Sequence, residues 1–537
     1  MTGALEPNMR SYESVVEGFG WDVPETYNAA VDVCDRHVSV DTRDRLAMFY
    51  EDADGARGKY TFWEVMRASN RVANALVELG VERGDRVAIL LDRGMESAAA
   101  HLGAYKLGAV AVALSATFGR EGLRYRLDDS GASVLFTQAR HRETVEAIRD
   151  GVPSLETLVV ADGDPWGEAH GWGTVADADP AFDPVDTAPD DPMQIFYTSG
   201  TTGMPKGVVH GHRRVLAASD WPYYHDFHAG ELYYNTADWA WITSLNAWLG
   251  PWKHGVPILV YDGRFDPETV YELLETYEVT NFYTVPTGFR MLRGFESEPL
   301  RRYDVDLRVA CTGGEPLGAE MLEWGREALG VKINELYGQT EVFATANYPA
   351  VETKPGSAGR PLPGHGVAVL DDDGEELPPG ELGQVAVGRD TPAYFLEYWN
   401  RPEATAAVRT DGWHLTGDAG RLDEDGYLWI EGRIDDVIVS SGYRIGPYEV
   451  ESTVEKHGAV NECAVVGVPD ETRGEVVKAY VTLNDGYEPD ADLRAAIQEF
   501  VKAELAAYEY PRELEFVDGF ERTVSGKIKR AELKPGD

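Results

Sequence analysis

Residues 197–207 read YTSGTTGMPKG and concentrate the residue types that hold a polyphosphate. Thr198, Ser199, Thr201 and Thr202 offer hydroxyls, Gly200, Gly203 and Gly207 let backbone amides turn toward one point, and Lys206 adds a full positive charge. The stretch is not a Walker A loop, because Lys206 is followed by Gly207 rather than Ser or Thr and no helix opens there. Any four residues of it would pass for an ordinary polar turn; eleven together do not.

Four further clusters carry chemistry. Residues 335–341, ELYGQTE, set Tyr337 as a flat face for a base, Thr340 as a hydroxyl for a phosphate and Glu341 as a hard oxygen ligand for Mg²⁺, although a Glu in such a place is commonly a solvated loop carboxylate. Residues 413–418, WHLTGD, end on Asp418, whose carboxylate in a tight turn could accept both hydroxyls of a ribose; capping its own turn is the commoner job. Residues 432–451 read GRIDDVIVSSGYRIGPYEVE, and residues 522–530 read RTVSGKIKR, with Lys527 in a flexible Ser-Gly turn. A lone Lys near a C-terminus is ordinarily a surface charge, so its meaning depends on the other clusters.

The elements that must position these groups follow from periodicity. Apolar residues at helical spacing over residues 61–80 precede a strand at 87–91, a helix near 95–107, a strand at 109–114, another at 133–137, a helix at 140–149 and a strand at 158–160. That alternation predicts βαβ units, hence an α/β fold with largely parallel sheet. The alternating residues Met193, Ile195 and Tyr197 predict a strand delivering the phosphate loop. A strand at 307–311 runs into Thr312, Gly313, Gly314 and Glu315, where parallel sheets bind ligands. The last hundred residues predict a compact α+β unit, so the expected domains are a large N-terminal one (1–434) and a small mobile C-terminal one (435–537) joined by a hinge at Asp435.

Composition narrows the function classes. A chain of 537 residues with 92 acidic against 49 basic side chains carries a net charge of -43, which repels nucleic acid and anionic lipid. The charge is read as an adaptation to a salt-rich cytoplasm. Cys34, Cys311 and Cys463 form no CxxC pair, which fits a reducing compartment without structural zinc. No signal-peptide pattern and no membrane-length apolar run is present, so the expectation is a soluble cytoplasmic protein without membrane insertion; oligomeric state is left open.

YTSGTTGMPKG, YGQTE, WHLTGD, GRIDDVIVSSGYRIG and TVSGKIKR occur in the order and at the spacings of the adenylate-forming superfamily, which the chain resembles from about residue 50 onward. SSGYRIGPYEVE, RGEVVKAYV and YEYPRELEFV look most like its medium-chain acyl-CoA synthetases. The resemblance implies an enzyme that converts a carboxylic acid and ATP to an acyl-adenylate and diphosphate, then lets coenzyme A displace AMP. Carried over by motif, Thr198, Ser199, Gly200, Thr201, Thr202, Gly203 and Lys206 would hold the β- and γ-phosphates and Glu341 would bind Mg²⁺. Tyr337 would lie along the adenine beside Gly313, Gly314, Glu315 and Pro316; Glu335, Leu336, Gly338 and Gln339 would also belong to the ATP site, and Thr340 would touch the α-phosphate with Asp418 and Arg433 at the ribose. Lys527 would bridge the carboxylate and the α-phosphate. After the first step the small domain would swing, bringing Ser441, Gly442 and Tyr443 to the pantetheine channel and Arg444, Arg473 and Lys502 to the nucleotide end of coenzyme A.

Trp239, Trp241, Trp248 and Trp252 crowd residues 236–255, a density commoner in cores than in pocket walls; by resemblance the stretch lines the acyl pocket, with Trp252 as its floor and Gly313 and Gly338 beside it. Acetate-specific relatives place Trp where this chain has Gly338, which implies space for acids of short to medium length, with acetyl- or propionyl-CoA synthesis as the near alternative. Against the ligase reading stand transfer to a carrier protein, a catalytically silent nucleotide sensor and, more distantly, a luciferase-like oxygenase. Retention of both Lys527 and Glu341 counts against the sensor.

Overall fold

The computed structural model describes residues 11–198, 204–347, 352–440, 443–470, 474–505, 509–522 and 528–534. The helix expected over residues 61–80 forms as Phe62–Glu78, started by a capping box in which Thr61 and Glu64 each satisfy the other's backbone amide. It buries Phe62, Val65, Val72, Ala75 and Leu76 on one face, each stabilising the fold by about 1.5–3 kcal/mol except the smaller alanine. The next helix, Met95–Leu107, is buried on all sides, which is why its apolar residues show no stripe. Its Lys106 has no exposed surface; the ammonium pairs with Asp35 at 2.8 Å and donates to Asn70 Oδ1 at 2.7 Å.

Two large sheets result. In one of eight strands, Arg86–Ile89, Val110–Ala113, Val134–Thr137, Thr157–Val160 and Pro192–Thr198 run parallel. The strand Lys206–Gly211 then turns back antiparallel, and Glu397–Tyr398 closes that edge against it. In the other, of nine strands, Leu46–Asp52, Tyr233–Asn235, Ile258–Asp262, Asn281–Tyr283, Val309–Gly313 and Ile333–Gly338 are parallel, with antiparallel strands at both edges. The fold is therefore α/β with parallel-rich sheets, as the periodicity predicts.

A five-stranded sheet follows that includes Gly383–Gly388, Trp413–Leu422 and Leu428–Arg433. Sequence reasoning reads residues 413–418 as a turn; they lie within a ten-residue strand, kinked where Gly417 adopts φ +69°. The last sheet contains only strands from Ile438 onward, chiefly Val460–Asp470 and Gly474–Leu483, and packs under the helices Pro447–Val454 and Ala491–Glu504. Its own apolar core comprises residues such as Ile438, Val450, Val465, Val477 and Ile497.

The tryptophan-rich stretch packs as core. Trp239 stacks on Trp248 at 5.0 Å, and Trp252 is fully buried against Phe62, its Nε1 donating to the Ala47 carbonyl at 2.8 Å. The three cysteines are buried and free of disulfides. Among the described residues no helix is long and apolar enough to cross a membrane.

Candidate functional site

The strand Pro192–Thr198 and the strand Lys206–Gly211 are antiparallel partners, with Thr198 opposite Lys206. The two strands that flank residues 199–203 are thus held in register. Thr198 Oγ1 lies 3.5 Å from the Lys206 carbonyl, and the Lys206 ammonium sits 4.2 Å above the Tyr398 ring. Ser199, Gly200, Thr201, Thr202 and Gly203 lie outside the described residues.

From the neighbouring sheet, the strand Ile333–Gly338 carries Glu335, Leu336 and Tyr337 to a tight turn at residues 339–342, closed by the Gln339 backbone amide donating to the Val342 carbonyl at 2.7 Å. Tyr337 is consequently a strand residue with a fixed ring direction. Its hydroxyl donates to Asp418 Oδ2 at 2.7 Å, and Gln339 Nε2 donates to the same oxygen at 2.7 Å. Arg433 Nη1 donates to Asp418 Oδ1 at 2.8 Å, from the strand paired with that of Asp418. Asp418 therefore gathers three donors from two sheets. The left-handed backbone at Gly417 permits this approach, since a Cβ there would stand 2.4 Å from Arg433 Nη2.

Thr340 is anchored through its carbonyl, 2.8 Å from His210 Nε2, and burial drives the His210 imidazole down to about 3, so the ring is neutral and donates from Nε2. Glu341 is buried; its Oε1 accepts the Tyr398 hydroxyl at 2.6 Å and its carbonyl accepts the Phe395 amide at 2.9 Å. Glu315 is paired with Arg290 at 2.8 Å beside Gly314, which has φ +95°.

Glu335 is buried with no cation beside it among its described partners; only the Leu317 amide donates to Oε1, at 3.3 Å. Burial pushes its carboxyl up from 4.5 to about 7. A raised acid favours folding where the group is neutral, so that contribution is complete below about pH 4 and lost as pH rises through 7. Glu335→Gln should match the wild type in thermal stability near pH 4 and gain at pH 8 by as much as about 3 kcal/mol, read from denaturation at both values. An equal offset at the two pH values would contradict the buried-acid reading.

Gly338 does not open the expected space. A Cβ at that position would meet Phe343 Cδ1 at 2.6 Å and the Val342 carbonyl at 2.8 Å, so the side-chain direction runs across the hairpin into its own backbone. The absence of a side chain at Gly338 therefore makes no room for a longer acid. A Cβ at Gly313 would likewise stand 2.9 Å from the Leu336 carbonyl.

Of the coenzyme A candidates, Lys502 is half-exposed on the helix Ala491–Glu504 and paired with Glu499 at 3.1 Å. Tyr443 and Arg444 fall on the short strand Tyr443–Ile445, but their side chains, like Ser441, Gly442, Arg473 and Lys527, lie outside the described residues. Where the hinge is expected, Lys534 donates to the Asp435 carbonyl and pairs with Asp436, each at 2.9 Å. Two side chains absent from the sequence reading emerge, Tyr398 and His210. Their separation from Glu341 and Thr340 along the chain leaves no local signal.

The AMP-binding enzyme family matches residues 35–399, and the AMP-binding enzyme C-terminal domain matches residues 449–527. The chain belongs to the adenylate-forming acyl-CoA synthetase family. Acetyl-coenzyme A synthetase of Bacillus subtilis is 37% identical over 98% of this chain and 95% of its own. Mouse mitochondrial acyl-coenzyme A synthetase ACSM3 is 35% identical over 99% and 94%. Among solved structures, an acyl-CoA synthetase of Brucella canis aligns with a TM-score of 0.77 at 34% identity, covering 98% of both chains. The anthranilate CoA ligase AuaEII in complex with anthranoyl-AMP aligns with a TM-score of 0.86 at 30% identity, covering 95% of this chain and 97% of its own. As a family member the chain is an AMP-forming acid–thiol ligase that binds ATP.

Proposed function

We propose that this ligase activates carboxylic acids of short to medium chain length in the cytoplasm, using ATP, Mg²⁺ and coenzyme A. The observation carrying the nucleotide part is the convergence of Tyr337, Gln339 and Arg433 on one carboxylate, Asp418. With Tyr337 and Gln339 on one oxygen and Arg433 on the other, that carboxylate has a set orientation and keeps acceptor capacity for ribose hydroxyls. The Tyr337 ring, pinned by its hydroxyl, is then a rigid face for the adenine.

Mg²⁺ fits Glu341. Its carboxylate is buried and offers Oε2 beyond the Tyr398 bond, and no cluster of three or more His, Cys, Asp or Glu occurs among the described residues. One carboxylate completed by substrate phosphates is the usual provision for Mg²⁺, and the ion when bound offsets the charge of the triphosphate. Lys206 and the loop hydroxyls would hold the terminal phosphates. Lys527 would steady the charge that develops between the acid and the α-phosphate, and the small domain would then rotate about Asp435 to bring coenzyme A. An apolar core drawn only from residues at Ile438 and beyond, following the short turn Ile434–Asp436, supports such a rotation.

Chain length rests on the resemblance of the signature segments alone, because Gly338 opens no space. A methylene changes selectivity by about 1–3 kcal/mol, so a series of acids is expected as substrates. Diphosphate release should require the acid, and free thiol should disappear only when coenzyme A is present, in assays spanning low to molar KCl. Activity with butyrate or hexanoate exceeding that with acetate in kcat/KM is the expected order. Acetate preferred over both would reassign the enzyme to acetyl-CoA synthesis, and acid-independent diphosphate release would remove the ligase mechanism.

A further inference from the structure

Tyr398 touches both halves of the phosphate end. It sits on the strand Glu397–Tyr398, which pairs with the strand that leaves the phosphate loop, Tyr398 standing opposite Val208, two residues from Lys206. Only 3% of it is exposed. Its backbone is held by the Thr405 hydroxyl, which accepts the Tyr398 amide at 2.9 Å, and by the Arg401 amide, which donates to its carbonyl at 3.0 Å. From that fixed base its hydroxyl donates to Glu341 Oε1 at 2.6 Å and its ring face lies 4.2 Å from the Lys206 ammonium.

We propose that Tyr398 is a positioning residue that aims the Glu341 carboxylate at the metal and seats the Lys206 ammonium beside it. This rests on the reading that Glu341 holds Mg²⁺. A phenol suits the task better than a cation would. It occupies one carboxylate oxygen without neutralising the charge, so the second oxygen keeps its full attraction for a divalent ion. The ring holds the ammonium through its face, which consumes none of the three N–H donors that a phosphate needs. One side chain thereby sets the distance between the two cations that a triphosphate must meet.

The substitutions separate the two contacts. Tyr398→Phe keeps the ring under Lys206 and removes the bond to Glu341; Tyr398→Leu removes both. The affinity of Mn²⁺ in the presence of ATP, measured by electron paramagnetic resonance on the full chain, should fall about 10-fold in Tyr398→Phe. Its rate of diphosphate release should recover as Mg²⁺ is raised, whereas metal-free ATP binding should weaken only in Tyr398→Leu. A role confined to packing would lower the melting temperature without moving the metal constant. Wild-type Mn²⁺ affinity in Tyr398→Phe overturns the proposal if Glu341→Gln binds Mn²⁺ more weakly. Wild-type affinity in Glu341→Gln overturns the metal role of Glu341 on which the proposal stands.

Discussion

Lys527→Ala should lose acyl-adenylate formation from ATP and acid by about 1,000-fold while retaining thioester formation from a supplied acyl-adenylate. Two anions, a carboxylate and the α-phosphate, must approach during the first half-reaction, and negative charge accumulates on the phosphoryl oxygens as diphosphate leaves. A cation placed there acts on the transition state more than on the bound substrates, so the loss should appear in kcat as well as in kcat/KM. The second half-reaction starts from an adenylate in which the acid is already activated, and needs no cation between carboxylate and phosphate. Single-turnover assays with ATP plus acid, and separately with acyl-adenylate plus coenzyme A, read the two steps. Equal losses in both would refute the assignment of Lys527 to the first.

The second large effect is expected at Asp418. Asp418→Ala removes the acceptor shared by Tyr337, Gln339 and Arg433, and leaves the Arg433 guanidinium with the Thr416 carbonyl at 3.0 Å but without its carboxylate partner. Kinetically, if Asp418 holds the ribose as proposed, kcat/KM for ATP should drop at least about 100-fold, because that acceptor and the anchor of the Tyr337 ring disappear together. Folding stability should fall by about 3 kcal/mol, since a carboxylate with three charge-assisted or neutral donors is replaced by a methyl group beside them. Tyr337→Phe, which deletes one donor and keeps the ring, should cost about 1 kcal/mol. The double variant should fall short of the sum of the two single losses, because both delete the same bond. Additive stability losses would show that the Tyr337–Asp418 bond contributes nothing to folding.

Many of the parallel strands and several of the helices are legible in the sequence because their determinants are local, whereas helices such as Arg120–Ser130, Ile242–Lys253 and Ala319–Ala328 are not. The capping box at Thr61 and Glu64, the alternating strand into residue 197 and the Gly-rich strand end at Gly313 each specify backbone conformation within a few residues. The helix Met95–Leu107 is legible by length rather than by stripe, because burial on every side erases amphipathic contrast. Less legible is the run from Trp413, where the Thr-Gly-Asp composition signals a turn but pairing on both sides imposes a strand.

By itself the sequence determined the fold class, the family and the order of the chemical groups, since those reside in residue types and spacing along one chain. Only the tertiary structure decided which groups meet. It brought Asp418 to Tyr337 and Gln339 across two sheets, set Tyr398 between Lys206 and Glu341, and filled the direction beyond Gly338 with Phe343. Hydrogen bonds and close packing act through a few ångströms of space, whereas most of the residues they join here lie tens of positions apart, so no local pattern could announce them.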